Sequence, residues 1–215
     1  RNKSLDAHRK WAQNSEDLVP LLKNHKRIAG ELLERIDAPE ISRQLLEEND
    51  HIIRSFAARS LADVESMHDT FAQDKHHSIR IIAAENSINT ELISSLISDS
   101  HSSVRKSAIA TASREGLELS QITLDKGLSA SDPALRALVA SLTVKMGGGI
   151  LEKACLDTNP KVRKAIADTL RIEVLEVDSR IDSVAEHCPD IIVRWLRLRH
   201  DKKASLLRWS MIEND

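Results

Sequence analysis

The feature of this 215-residue chain that most limits its fold is a dipeptide, an aliphatic residue followed by arginine, which returns at nearly even intervals. It stands at Ile53-Arg54, Ile79-Arg80, Val104-Arg105, Leu135-Arg136, Val162-Arg163 and Val193-Arg194, with the arginines 26, 25, 31, 27 and 31 residues apart. An earlier copy, His25-Lys26-Arg27-Ile28-Ala29, lies 27 residues before Arg54 and lacks the preceding aliphatic residue. Self-similarity at this period marks an array of supersecondary units, each too small to bury its own apolar faces, so that neighbours must stack.

Apolar residues recur before each arginine and two, three and six or seven places after it, as in Arg80-Ile81-Ile82-Ala83-Ala84 and Arg163-Lys164-Ala165-Ile166-Ala167. That spacing predicts an amphipathic helix. Turn signals precede these helices at Ser131-Asp132-Pro133, Thr158-Asn159-Pro160 and Pro189-Asp190. There Asp or Asn can accept from free amides while Pro fits the first turn. Second apolar segments, such as Glu91 to Ile97 and Ile150 to Leu156, lie between them and make each unit a helix pair. The run Met146-Gly147-Gly148-Gly149-Ile150 reads as a flexible connector, because it lacks the Gly-Lys-Ser/Thr ending of a nucleotide loop.

Turn, Val-Arg, then an Ala-rich helix resembles the second half of a HEAT-like repeat, most closely at Asp132 to Arg136 and Asn159 to Arg163. The stretch from Ile79 to Arg105 also resembles the leucine-rich repeat variant, which pairs an α-helix with a short 3₁₀ helix. The resemblance implies an all-α fold, an α-solenoid of about six to seven short HEAT-like repeats. Residues 1–23 are expected to form an N-terminal capping helix, 24–190 the array and 191–215 basic C-terminal capping helices. Some variant-type proteins carry a cysteine-rich iron–sulfur segment, but with Cys155 and Cys188 alone that cofactor is not implied.

Composition agrees with helices packed on small aliphatic side chains. Hydrophobic residues make up 41% but aromatic ones only 2%, and six Gly and five Pro are too few for a sandwich of many short strands. The net charge of −2 provides no overall basic field for nucleic acid or anionic membrane. The two separated cysteines read as buried thiols of a reducing compartment, so a cytoplasmic location is expected. No stretch is long and apolar enough to span a membrane, and Arg1 to Lys10 is too polar for a signal-peptide core. Arg1 in place of Met is compatible with a piece trimmed from a longer chain.

No set of residues has the spacing of a catalytic or metal-binding constellation, so no enzyme activity, cofactor, metal or small-molecule substrate is expected. The arginine ladder could form a phosphate stripe. A turn residue ahead of most of these arginines (Asp50, Asp99, Asp132, Asn159, Asp190) favours pairing along the stack instead. His25, His51, His76, His77 and His101 precede repeat arginines and are read as solvated turn residues, since repeat spacing keeps them from converging on one ion. Glu31 to Asp50 carries seven acidic and two basic residues and reads as a solvated face.

The expected function is a non-catalytic scaffold that binds a protein or peptide on its concave face. Helical phase nominates Arg59, Lys106, Lys164, Asp168, Trp195 and Arg199 as contacts. The alternative is nucleic-acid binding through Arg194, Arg197, Arg199, Lys202, Lys203 and Arg208, with Trp195 and Trp209 available for stacking. A remote extension of that alternative rests on the resemblance of HEAT-like arrays to alkyl-base DNA glycosylases, which use Trp, Asp and Arg on the concave face.

Overall fold

A computed structural model describes residues 39–173, 179–188 and 190–191, with Asn24 and Leu33 besides. The sequence-expected cap at 1–23 and all but the first residue of 191–215 therefore lie outside the described residues. Among the described residues every regular element is helical. The chain divides into two compact units, 1–111 and 112–215, and the division falls within the stretch read from sequence as one array.

The first unit contains α1 (Pro39–Leu45), α2 (His51–Ser60), a 3₁₀ turn (Glu65–Met67), α3 (His68–Ala72), α4 (His77–Asn86) and α5 (Thr90–Leu96). Helix α6 (Ser102–Glu115) runs through the division. The second unit continues with α7 (Gln121–Leu128), α8 (Pro133–Met146), α9 (Gly148–Cys155), α10 (Pro160–Glu173) and α11 (Ser179–His187). Short helices alternate with helices that carry the repeat arginine. Within the first unit α2 packs on α4 and α3 on α5; within the second α8 packs on α10, and α7 and α11 both touch α9. Each unit thus has a layer of arginine helices and a layer of short ones.

Helix starts follow from local chemistry. The repeat arginine is the fourth residue of α2, α4, α6, α8 and α10 alike. Asp50, Asp132 and Asn159 sit one residue ahead of α2, α8 and α10, and their side-chain oxygens accept from the second helical amide at 2.9 Å. Such a cap is worth about 1 kcal/mol. Pro133 and Pro160 occupy the first helical position, where no amide donor is needed.

The core repeats with one phase. Residues one before and three, four and seven after the arginine are buried in all five repeats, from Ile53, Ala57, Ala58 and the C-cap Leu61 of α2 to Val162, Ile166, Ala167 and Leu170 of α10. The expected apolar position two after the arginine does not hold as a core position: Ile82 is buried, Phe56, Ser107 and Ala165 are half-buried, and Leu138 is 39% exposed. In a 100° per residue progression that position points off the axis of the buried stripe.

Unequal repeat spacing is absorbed partly by the arginine helices and partly by the turns after them, five residues long after Glu115 and one after Met146. Helices α2 and α4 have 10 residues and α6, α8 and α10 have 14. The glycine run also departs from expectation. It is a tight corner and not a flexible connector, since Met146 ends α8, Gly148 begins α9, and Gly147 joins them at φ 66°. A side chain at that φ would be strained.

Candidate functional site

The polar framework of both units is a set of arginine clamps. Arg54 donates from Nε and Nη2 to the two carboxylate oxygens of Asp74 at 2.8 and 3.0 Å, and from Nη1 to the carbonyls of Glu48 and Asn49 at 2.7 and 2.9 Å. Arg80 holds Asp99 in the same way at 2.7 and 2.9 Å, with Nη1 on the Asp74 carbonyl. In the second unit Arg136 holds Asp157 at 2.6 and 3.2 Å and the Ala130 carbonyl at 2.8 Å. Arg163 reaches Asp190 through Nε at 3.0 Å and the Asp157 carbonyl through Nη1 at 2.7 Å.

Each guanidinium therefore ties its own turn to the acid of the next repeat. The expected pairing along the stack is present, but two of the partners are different residues. Asp50, Asp132 and Asn159 are engaged as helix caps, and the clamps fall on Asp74 and Asp157 as well as on the anticipated Asp99 and Asp190. A carboxylate two residues nearer the preceding helix reaches the fork of the previous arginine, while its neighbour after the turn faces the new helix amides.

Electrostatics agree with the geometry. Burial would raise the carboxyl of Asp74, but Arg54 and the His76 amide outweigh it and hold the group below its ordinary value. Asp99 is held down similarly by Arg80 and the His101 amide against burial. Asp157 is lowered chiefly by Arg136. The guanidiniums of Arg54, Arg80 and Arg136 are pushed up by the same hydrogen bonds. These arginines are structural and not an open phosphate stripe.

Arg105 is the exception. Its Nη1 donates to the carbonyls of Asp99 and Ser100 at 2.7 and 2.9 Å, as in the other repeats, but no carboxylate clamp forms on it among the described residues. The residue six before the next repeat arginine is Ala130, where the neighbouring repeats have Asp99 and Asp157.

Along the same edge of the first unit, His51, His76, His77 and His101 form a column of stacked imidazoles. Successive ring centroids lie 3.8, 4.5 and 3.8 Å apart, with interplanar angles of 25°, 30° and 9°. Three of the four rings are half-buried, so the expectation of separate solvated turn residues is corrected for these four; His25 lies outside the described residues. Alternation of cap and first-turn positions in adjacent repeats halves the repeat distance and lets the faces meet. Face-to-face rings direct their lone pairs side by side and not toward one point. No group of three or more potential ligands that could hold a metal ion is found among the described residues.

The nominated binding residues divide into three groups. Arg59 is exposed near the end of α2, and Lys106 is half-buried on α6. Lys164 and Asp168 form an ion pair at 2.7 Å, one turn apart on α10, with side chains 53% and 37% exposed. Trp195, Arg199 and the basic patch of Arg194, Arg197, Lys202, Lys203 and Arg208 lie outside the described residues.

Arg59, Lys106, Lys164 and Asp168 belong to a regular stripe. Positions one and five after the arginine stay out of the core in every arginine helix: Ser55 and Arg59, Ile81 and Glu85, Lys106 and Ala110, Ala137 and Ser141, Lys164 and Asp168. Four residues apart, the two positions share one helix face.

The second unit also holds a cavity of about 460 Å³ between α7 and α8, lined by Leu117, Leu119, Leu124, Leu142 and Met146, with Glu118 and Lys145 beside them. Cys155 and Cys188 are buried as expected, and the Cys188 thiol donates to the Cys155 carbonyl. Burial pushes the Cys155 thiol up to about 12, which makes it a poor nucleophile at neutral pH. No helix among the described residues is long and apolar enough to cross a membrane. No protein-family model matches the chain, and no curated protein matches it.

Proposed function

We propose that this chain is a non-catalytic scaffold of HEAT-like repeats, stacked as a solenoid, that recognises a protein or peptide along the partly exposed stripe of its arginine helices. The observation that carries this reading is the stripe itself. One face of each of five equivalent helices is withheld from the core while its residues change from repeat to repeat, from Ser55 and Arg59 to Lys164 and Asp168. A position that is structurally fixed but chemically varied is what a repeat protein needs in order to read an extended ligand. The clamps support the reading from the other side, since they use most repeat arginines for holding adjacent turns together and leave recognition to neighbouring positions.

The test is capture from the source cell with the full chain and with an R59E/K106E/K164E variant. These substitutions alter the stripe without entering the core, so circular dichroism should be unchanged. Loss of a specific captured protein in the variant is the expected result. Identical capture by both chains would remove the stripe from consideration. Captured complexes that dissolve steeply with added salt and contain DNA or RNA would favour the basic C-terminal residues instead.

A further inference from the structure

The imidazole column does more than fill an edge. His76 and His101 occupy the cap positions of α4 and α6, where α2, α8 and α10 have Asp50, Asp132 and Asn159. Nδ1 of His76 accepts from the Ser78 amide at 3.3 Å and lies 2.7 Å from the Ser78 hydroxyl. Nδ1 of His101 accepts from the Ser103 amide at 3.3 Å. An amide can only donate, so Nδ1 must present its lone pair in both rings, and each ring in this state is neutral with its proton on Nε2. A protonated ring has a donor on both nitrogens and cannot cap.

The surroundings do not favour a charged column. His76 faces His51 on one side and His77 on the other, and His77 faces His101. Asp74 favours the charged form of His76 and Asp99 that of His77, but each carboxylate is already clamped by Arg54 or Arg80. Asp50 caps α2 beside His51, and Lys75 adds a further positive charge beside His76. Protons on adjacent rings of the column would sit only 3.8 to 4.5 Å apart, measured between ring centroids.

We propose that the column is an acid-sensitive latch: in its neutral state it caps α4 and α6 and joins three successive arginine helices at one edge of the first unit, and proton uptake opens that edge. His76 is shifted below its ordinary value of 6.5 by burial first and then by His51 and His77, against the pull of Asp74. His77 is shifted the same way by burial and by His101 and Arg80, against Asp99. Groups whose folded value is depressed add stability that is complete above their unfolded value and is lost as pH falls through the folded one. The latch is therefore closed above about pH 6.5 and opens below it.

The experiment compares the full chain with an H76N/H101N variant, in which Asn keeps an uncharged cap acceptor. Urea midpoints, followed by helical circular dichroism, are measured from pH 7.5 to pH 5. The wild type should lose stability across this range by about fivefold in the folding constant for each cap lost. The variant should match it at pH 7.5 and lose clearly less on acidification. Equal pH slopes in the two chains overturn the proposal. A second variant, H51Q/H77Q, leaves both cap rings in place, and NMR titration should show His76 moving up toward the ordinary value once its two neighbours are gone; unchanged titration also overturns it.

Discussion

Arg54 and Arg105 carry the same local anchors and differ in what meets the open edge of the guanidinium. Arg54 is 4% exposed and bonded twice to Asp74, whereas Arg105 is half-buried and no carboxylate among the described residues clamps it. Removing one partner of a buried pair leaves an uncompensated charge, at a cost of about 3–5 kcal/mol. Asp74→Ala should therefore destabilise the first unit by about that amount, and Arg105→Met by about 1 kcal/mol or less. Urea unfolding of the two variants checks this; equal losses would mean that the clamp contributes nothing beyond its carbonyl anchors. At this scale the sequence was only partly legible. That arginines pair with turn acids could be read from their recurrence, but Asp50 and Asp74 are both turn acids near a repeat arginine. Only the path of the chain through the turn decides which one caps and which one clamps.

The elements were more legible than their contacts. Aliphatic residues before each arginine marked the buried stripe correctly, and Asp132-Pro133 and Asn159-Pro160 marked helix starts that are present. The position four after the arginine was missed because it is Ala in four of five helices, and Ala alone carries little hydrophobic signal. Its smallness brings helix axes close, and Gly127 on α7 does the same against α8. A Cβ at Gly127 would meet Cγ2 of Val139 at 2.7 Å. Gly127→Ala gains helix propensity of about 1 kcal/mol but must push a short branched side chain aside, an overpacking cost of about 1–3 kcal/mol. A lower thermal midpoint is expected; a raised one would show that α7 and α8 can separate without loss. The histidine series was visible in the sequence but the contact between its rings was not, since that contact arises from cap and first-turn positions of different repeats.

At the scale of the whole molecule, the clamped carboxylates make a second acid transition distinct from that of the imidazoles. Asp74, Asp99 and Asp157 are all held below the ordinary 3.8, so their contribution is complete above that value and is lost as pH falls below it. Urea midpoints should drop steeply below about pH 4, and the drop should be shallower in Asp157→Asn. An unchanged slope in that variant would mean that other carboxylates govern the transition. The all-helical class was fully legible from composition and period. The division near residue 111 was not, because the repeat arginine recurs on both sides of it.

Asp74 receives one arginine on its side chain and the next on its main-chain carbonyl, and Asp99 does likewise for Arg80 and Arg105. The segment 74–98 thus brings both a socket for the hairpin before it and a plug for the hairpin after it. A second copy of that segment, spliced in tandem at residue 99, would meet its neighbours with the same fittings, so a chain of this kind can lengthen by whole modules without inventing a new joint.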